Sequence, residues 1–176
     1  MKKIFLVVSA LLISSCAFVK KEKEIEFIKP TQIYTNNSYV YLAGVHSARY
    51  LDTDDMAYIF NRKFSYFAKH KFYCSLNCVF ENYLLESLPY LVQKPITNKR
   101  LYVYIYDFEP DFKTIHEGKM LLKAKFYLED KGKYRIKDFD YQKHFHVKNF
   151  AGLMKEENIA MDTLIKALNE FIRKSV

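Results

Sequence analysis

The chain has 176 residues, 28 Lys plus Arg against 20 Asp plus Glu, a net charge of +8, and half its residues apolar, including 15 Tyr and 15 Phe. That is one domain's worth of chain with enough apolar surface to bury a core, so a multidomain machine, a collagenous fibre and a disordered tail are excluded. Its four glycines, Gly44, Gly118, Gly132 and Gly152, are widely spaced, and the phosphate-cradling, serine-hydrolase and zinc-protease signatures are missing. No catalytic constellation is expected.

Met1 to Cys16 reads MKKIFLVVSALLISSC: two lysines, an apolar run from Ile4 to Ile13, then small residues ending in cysteine. This is the tripartite form of a secretory signal, with an apolar run too short to span a bilayer as a mature helix. Ile13-Ser14-Ser15-Cys16 resembles the bacterial lipobox. Its small side chains let an extended segment enter a signal peptidase, and the Cys16 thiol is the nucleophile that takes a diacylglycerol. Residues 1–15 are thus expected to be a signal peptide, with Cys16 the lipidated first residue of the mature protein. Diacylglycerol and N-acyl chains on Cys16 are the one covalent group expected, and they anchor through buried methylenes worth about 0.8 kcal/mol each. Ala17 in place of Asp favours the outer membrane under the enteric sorting rule. Residues 16–35, with the mixed-charge run Lys20 to Glu24, read as a solvated tether ending near a strand about Ile25 to Ile28, and residues 36–176 as the folded domain. The scattered lysines suit anionic lipid head groups, and no nucleic-acid partner is expected.

From Tyr39 to Val45 the chain is β-prone, and Met56 to Asn61 and Lys63 to Lys69 read as a hairpin, with Phe64, Tyr66 and Ala68 sharing one face. Between Ser75 and Leu91, Leu76, Val79, Phe80, Tyr83, Leu84 and Leu88 recur at helical spacing, with Ser75 as N-cap and Pro89 at the end. Leu101 to Glu109 is a central strand with Tyr102, Tyr104, Tyr106 and Phe108 on one face. Apolar groups on both its faces imply cover on both sides, or an aromatic face that meets a partner. Lys119 to Glu129 and Tyr134 to about Val147 form a hairpin across Asp130-Lys131-Gly132. Leu153, Met154, Met161, Leu164, Ile165, Leu168, Phe171 and Ile172 share one face of a C-terminal helix. The sum is a single α/β domain: a mixed sheet of about five or six strands with two main helices packed on it.

His70, Cys74 and Cys78 have one-face helical spacing, but zinc needs three or four ligands and the stretch straddles a loop, so no metal is expected there. A Cys74–Cys78 disulfide is the better reading in an oxidising compartment, provided the helix starts after Cys74. His144-x-His146 lacks a third ligand and reads as an exposed strand end. Asp52, Asp54 and Asp55 read as turn chemistry.

The order of features resembles the ABC-type transport auxiliary lipoproteins, which accompany lipid transporters containing mammalian-cell-entry domains. The likeness rests on the lipobox at Cys16, the strand Val40 to Val45, and Ala48-Arg49-Tyr50-Leu51-Asp52, similar to that family's P-x-Y-L-D segment. It continues with Met56-Ala57-Tyr58-Ile59, Phe64 to Phe72, the Tyr104-Ile105-Tyr106-Asp107-Phe108-Glu109 strand and the final amphipathic helix. Ala48 replaces the usual proline, and Lys71-Phe72 the usual Arg-Trp. The resemblance implies a noncatalytic accessory of a phospholipid transporter, sitting at the outer membrane, facing the periplasm, with a mammalian-cell-entry protein and an ABC permease and ATPase as partners. A homo-oligomer is a further expected association. Tyr50, Leu51, Phe72, Tyr102, Tyr104, Tyr106 and Phe108 are the candidate partner or lipid contacts. Two other roles stay open at this point: a lipoprotein that assists or plugs an outer-membrane barrel, and a direct lipid carrier whose tyrosine face lines a pocket.

Overall fold

The computed structural model describes residues 23–175, so the expected signal peptide and the expected lipidation at Cys16 lie outside the described residues. In chain order come β1 (Glu24–Glu26), β2 (Val40–Ser47), β3 (Asp55–Phe60), β4 (Lys63–Phe72), α1 (Leu76–Ser87), β5 (Leu91–Val92), β6 (Lys99–Phe112), β7 (Glu117–Asp130), β8 (Lys133–His146) and α2 (Phe150–Arg173). The fold is the expected α/β domain with two helices on a mixed sheet, and the sheet has eight strands. Beyond the six longer strands, β1 falls beside the strand expected about Ile25 to Ile28, and β5, two residues long, is too short to carry a periodic signal.

Strand β6 is the hub. One of its edges takes β7 antiparallel over its whole length. The other takes β2, parallel, beside Arg100 to Ile105, and β3, parallel, beside Asp111 and Phe112. Strand β8 continues the sheet beyond β7, β4 pairs with β3 as the predicted hairpin, β1 lies parallel outside β4, and β5 lies parallel to β2. The β7–β8 turn fits its sequence: Lys131 and Gly132 have φ of 51° and 75°, and two consecutive left-handed residues match the twist of a two-residue hairpin. Gly118 is needed for another reason, because a Cβ there would lie 2.4 Å from the Asp111 carbonyl oxygen across the β6–β7 ladder.

Both helices pack on one face of the sheet. Phe80 of α1 meets Phe108 of β6, and Phe171 of α2 lies against Phe126 of β7, which shares the Phe108 face. Met120, Leu122, Ala124, Phe126 and Leu128 form the continuous floor of this core. Every second residue of β7 is therefore apolar. Helix α1 and the turn that follows it are tied to α2 by polar contacts: the Tyr83 hydroxyl donates to Asp162 Oδ1 at 2.6 Å, and the buried hydroxyl of Tyr90 to Asn169 Oδ1 at 2.9 Å. On α2, the Asn149 side chain caps the first turn by accepting from the Gly152 amide at 3.0 Å.

Ser75 occupies the α1 N-cap position but makes no side-chain capping bond. Instead Cys74 and Cys78 form a disulfide with Cα atoms 5.9 Å apart, closing the first turn covalently. The condition set by the sequence is met, since α1 begins at Leu76, after Cys74. This pairing also removes the His70, Cys74, Cys78 zinc reading. Reducing the bond, or replacing both cysteines by serine, is expected to cost about 2 kcal/mol, the chain-entropy value for so short a loop, read as a lower denaturation midpoint.

The expected tether boundary at residue 35 moves toward the N-terminus. Residues 24–26 are a sheet strand, Ile28 is buried, the Tyr34 amide donates to the Ser87 carbonyl, and Thr31 hydrogen-bonds to Asp162 of α2. The Ile25 to Ile28 strand signal was the informative part, and the charge run beside it masked that signal. Of the aspartates, Asp52 accepts from Asn77, Asp54 pairs with Lys71 and Asp55 with Lys23, so all three serve the turn and its anchoring.

Candidate functional site

With both helices on one face, the other face of the β2–β6–β7–β8 region carries no described element. Its rungs can be read from the register: Tyr102, Tyr127 and Ile136 align, as do Tyr104, Lys125 and Asp138, then Asp107, Lys123 and Asp140. Tyr104 packs edge-on against Tyr127 with ring centroids 5.3 Å apart, and His46 of β2 lies 5.1 Å from Tyr104. Tyr134 and Ile136, more than half exposed, extend the aromatic row onto β8. The lysines between them are paired: Lys123 with Asp107 at 3.1 Å and Lys125 with Asp138 at 3.2 Å. Those contacts raise the pKa of both ammonium groups.

The predicted single face of Tyr102, Tyr104, Tyr106 and Phe108 is broken between Ile105 and Asp107 by a β-bulge. One extra residue flips the alternation. Tyr102 and Tyr104 stay on the uncovered face, Tyr106 becomes the outward bulge residue, and Phe108 turns into the core, 3% exposed, between Phe72 and Phe80. Leu51, 2% exposed, and Phe72, 4% exposed, are core residues as well. Leu51, Phe72 and Phe108 are thus removed from the surface candidates, while Tyr50, Tyr102, Tyr104 and Tyr106 remain.

The bulge also creates a polar cluster that strict alternation hides. Tyr50, delivered by the β2–β3 connection, donates its hydroxyl to the Tyr106 carbonyl at 2.8 Å and lies 3.3 Å from Asp107 Oδ1. Burial, with the nearby Glu109 and Asp107 carboxylates, pushes the Tyr50 phenol well above its ordinary range. Glu109 is buried on the same side, accepts the Phe108 amide at 2.7 Å, and is pushed up to about 7, chiefly by burial. Around it stands an exposed aromatic group. Phe64 lies edge-on to Tyr50 at 4.9 Å and to Tyr66 at 5.1 Å, and the Tyr66 hydroxyl donates to the Tyr50 carbonyl at 2.7 Å.

Phe64 and Tyr66 were expected to face away from Lys63 and Ser65 with Ala68 as part of a simple alternation. That alternation holds from Lys63 through Tyr66, whose register with Phe60 to Ala57 is unbroken, so Phe64 and Tyr66 stand beside Tyr50 and Phe67 faces the other way, against Tyr58, Phe112 and Phe150. Beyond Tyr66 the register slips, with Tyr66 to Lys71 opposite only Ala57 to Asp55, and the slip puts His70 and Phe72 on the side of Phe67. The alternation of Phe64 and Tyr66 was the available signal, but it gave no sign of which face was buried.

At one end of the sheet is an open cleft of about 670 Å³, lined by Arg62, Asp111, Lys113, Glu117, Lys119, His144 and His146 among others. His144 and His146 are exposed here, as expected, and His146 pairs with Glu117 at 3.2 Å. No described helix is long and apolar enough to cross a membrane.

No family model matches this chain. An uncharacterized protein of Aquifex aeolicus (strain VF5) is 29% identical over 124 residues, a match covering 70% of this chain and 65% of that protein. The chain thus spans less than two thirds of that relative's length. A crystal structure of an uncharacterized protein superposes with a TM-score of 0.68 at 13% identity, covering 84% of this chain and 99% of that one. Protein XCC0632 from Xanthomonas campestris, a DUF330 protein, gives a TM-score of 0.66 at 12% identity, covering 82% of this chain and 92% of that one. Both likenesses are of fold.

Proposed function

We propose that the chain is an outer-membrane-anchored, periplasm-facing lipoprotein, acylated on Cys16, and a noncatalytic accessory of an ABC-type phospholipid transporter containing a mammalian-cell-entry protein. The observation that carries this reading is the uncovered sheet face of Tyr102, Tyr104, Tyr127, Tyr134 and Ile136 on a chain that opens with a lipobox. Aromatic side chains set among paired charges have the composition of a docking interface. A lipid anchor holds that face at high effective concentration against a partner at the same membrane. Direct lipid carriage is disfavoured, because a carrier needs an enclosed apolar pocket and these tyrosines stand on an open sheet.

The test is affinity purification of the lipidated chain from mildly crosslinked, detergent-solubilised envelopes, comparing wild type with Tyr104→Asp and Cys16→Ala. Wild type is expected to retain a mammalian-cell-entry protein with an ABC permease or ATPase. Tyr104→Asp is expected to reduce that recovery by tenfold or more, as for a central aromatic contact, and Cys16→Ala to leave the outer-membrane fraction. Recovery of an outer-membrane barrel without these partners would replace the reading with barrel assembly.

A further inference from the structure

Strand β1 contributes more than one short ladder. Its Glu24 stands opposite His70 in the parallel register with β4, and Glu26 opposite the buried Phe72, so both carboxylates project to the side on which the helices pack. His70 Nδ1 lies 2.8 Å from Glu26 Oε1 and 3.8 Å from Glu24 Oε2. One ligand atom from each of the three residues falls within 4.8 Å of the others. The imidazole is held flat by Phe150 of α2, with ring centroids 3.5 Å apart and 7° between the planes. Its edge is therefore fixed toward the two carboxylates.

A second observation comes from α2. After β1 the chain runs along this helix, because Thr31 hydrogen-bonds to Asp162 while His70 stacks on Phe150. Glu157 lies on the same helical face as Phe150, about two turns on, and so on the side of α2 that carries the His70 ring. The Glu26 charge adds to the burial that pushes the Glu157 carboxyl up to about 8. Glu157 is 2% exposed, and its Oε2 has no hydrogen-bond partner among the described residues. A buried carboxylate without a donor is costly unless a proton or a cation satisfies it.

We propose that Glu24, Glu26 and His70, with Glu157 behind them, bind a divalent transition-metal cation of the zinc type, which fastens β1 to β4 and α2. One imidazole and two or three carboxylates make a donor set suited to zinc. Calcium takes oxygen ligands alone, and the imidazole nitrogen at the centre of this cluster argues against it. The site stands apart from the aromatic face and does not depend on the docking role. Its position at the first strand of the folded body means that the cation would lock the point where the N-terminal segment leaves the domain.

The test is calorimetric titration of the untagged full chain, in detergent and after EDTA and desalting, with zinc chloride at pH 7.5. One zinc per chain is expected, with affinity falling at least 30-fold in His70→Gln and several-fold in Glu157→Gln, and unchanged in His144→Gln/His146→Gln. Zinc-edge X-ray absorption on the wild type serves if a variant fails to fold, and one nitrogen from a single imidazole with oxygen ligands at roughly 2.0–2.1 Å is expected. Absence of saturable binding, full affinity in His70→Gln, or a spectrum with sulfur or two imidazoles overturns the proposal. Unchanged affinity in Glu157→Gln removes that carboxylate from the site.

Discussion

Glu157→Gln is expected to stabilise the metal-free protein by roughly 3–5 kcal/mol at pH 9, with the advantage shrinking toward zero near pH 4.5. The sign follows from the direction of the shift. The Glu157 carboxyl, held at about 8 in the folded chain mainly by burial, keeps a proton that the unfolded chain releases from its ordinary value of 4.5 upward. The folded state binds more protons throughout that window, so wild-type stability falls as pH rises from about 4.5 to about 8. Glutamine presents a neutral group of the same shape and escapes that loss. Glu109, pushed up to about 7 by burial, adds a smaller loss of the same sign between about 4.5 and 7. Guanidinium denaturation of both proteins in EDTA at pH 5, 7 and 9 measures the difference. Midpoints that stay parallel across the range would show that Glu157 is ionised in a solvated or paired position.

Phe108→Ala is expected to cost about 3–5 kcal/mol, whereas Tyr104→Ala, four residues earlier on the same strand, is expected to cost about 1 kcal/mol or less. Phe108 fills the core between Phe72, at 6.3 Å, and Phe80, at 5.0 Å, so truncation leaves a cavity under α1. Tyr104 stands on the uncovered face, where truncation removes mainly its edge-on contact with Tyr127. Urea denaturation of the two variants reads the contrast directly. Equal costs would mean that strand alternation runs unbroken through residue 106 and that the tyrosines and Phe108 share a face.

Much of the architecture was legible because its signals are long and periodic. The α1 and α2 stripes, the β3–β4 and β7–β8 hairpins and the central β6 strand each involve several residues repeating at one spacing. Lys131-Gly132 marks its turn by backbone chemistry alone. The failures share a cause. Alternation along a strand gives two faces but not which one is buried, and one inserted residue exchanges them without any change in composition. At β6 the bulge moved Phe108 inward and brought Glu109 to the side of Tyr50. At β4 the slip beyond Tyr66 put His70 and Phe72 on the side of Phe67, where strict alternation would have turned them away. Short pairings such as β1 with β4 depend on tertiary neighbours, and the charge-rich Lys20 to Glu24 run made a tether the natural reading.

For the candidate surface, the sequence supplied Tyr50, Tyr102, Tyr104 and Tyr106 but included Leu51, Phe72 and Phe108, which the core claims. Phe64, Tyr66, Tyr127, Tyr134 and Ile136 join only when β4, β7 and β8 are laid beside their neighbours, since they come from separate segments of the chain. The His70, Glu24 and Glu26 cluster was hidden in the same way. His70 drew attention through its spacing to Cys74 and Cys78, yet its partners lie 44 and 46 residues earlier.

The most direct test of the docking account places a photocrosslinking amino acid at position 104, on the uncovered sheet face, and separately at position 166, on the exposed side of α2. Both proteins are irradiated in intact cells as lipidated chains, and the adducts are identified by mass spectrometry. Crosslinks to a mammalian-cell-entry protein or its permease from position 104, and none to them from position 166, are the predicted result. Such crosslinks from position 166 alone, or adducts at position 104 only with an outer-membrane barrel, would contradict it.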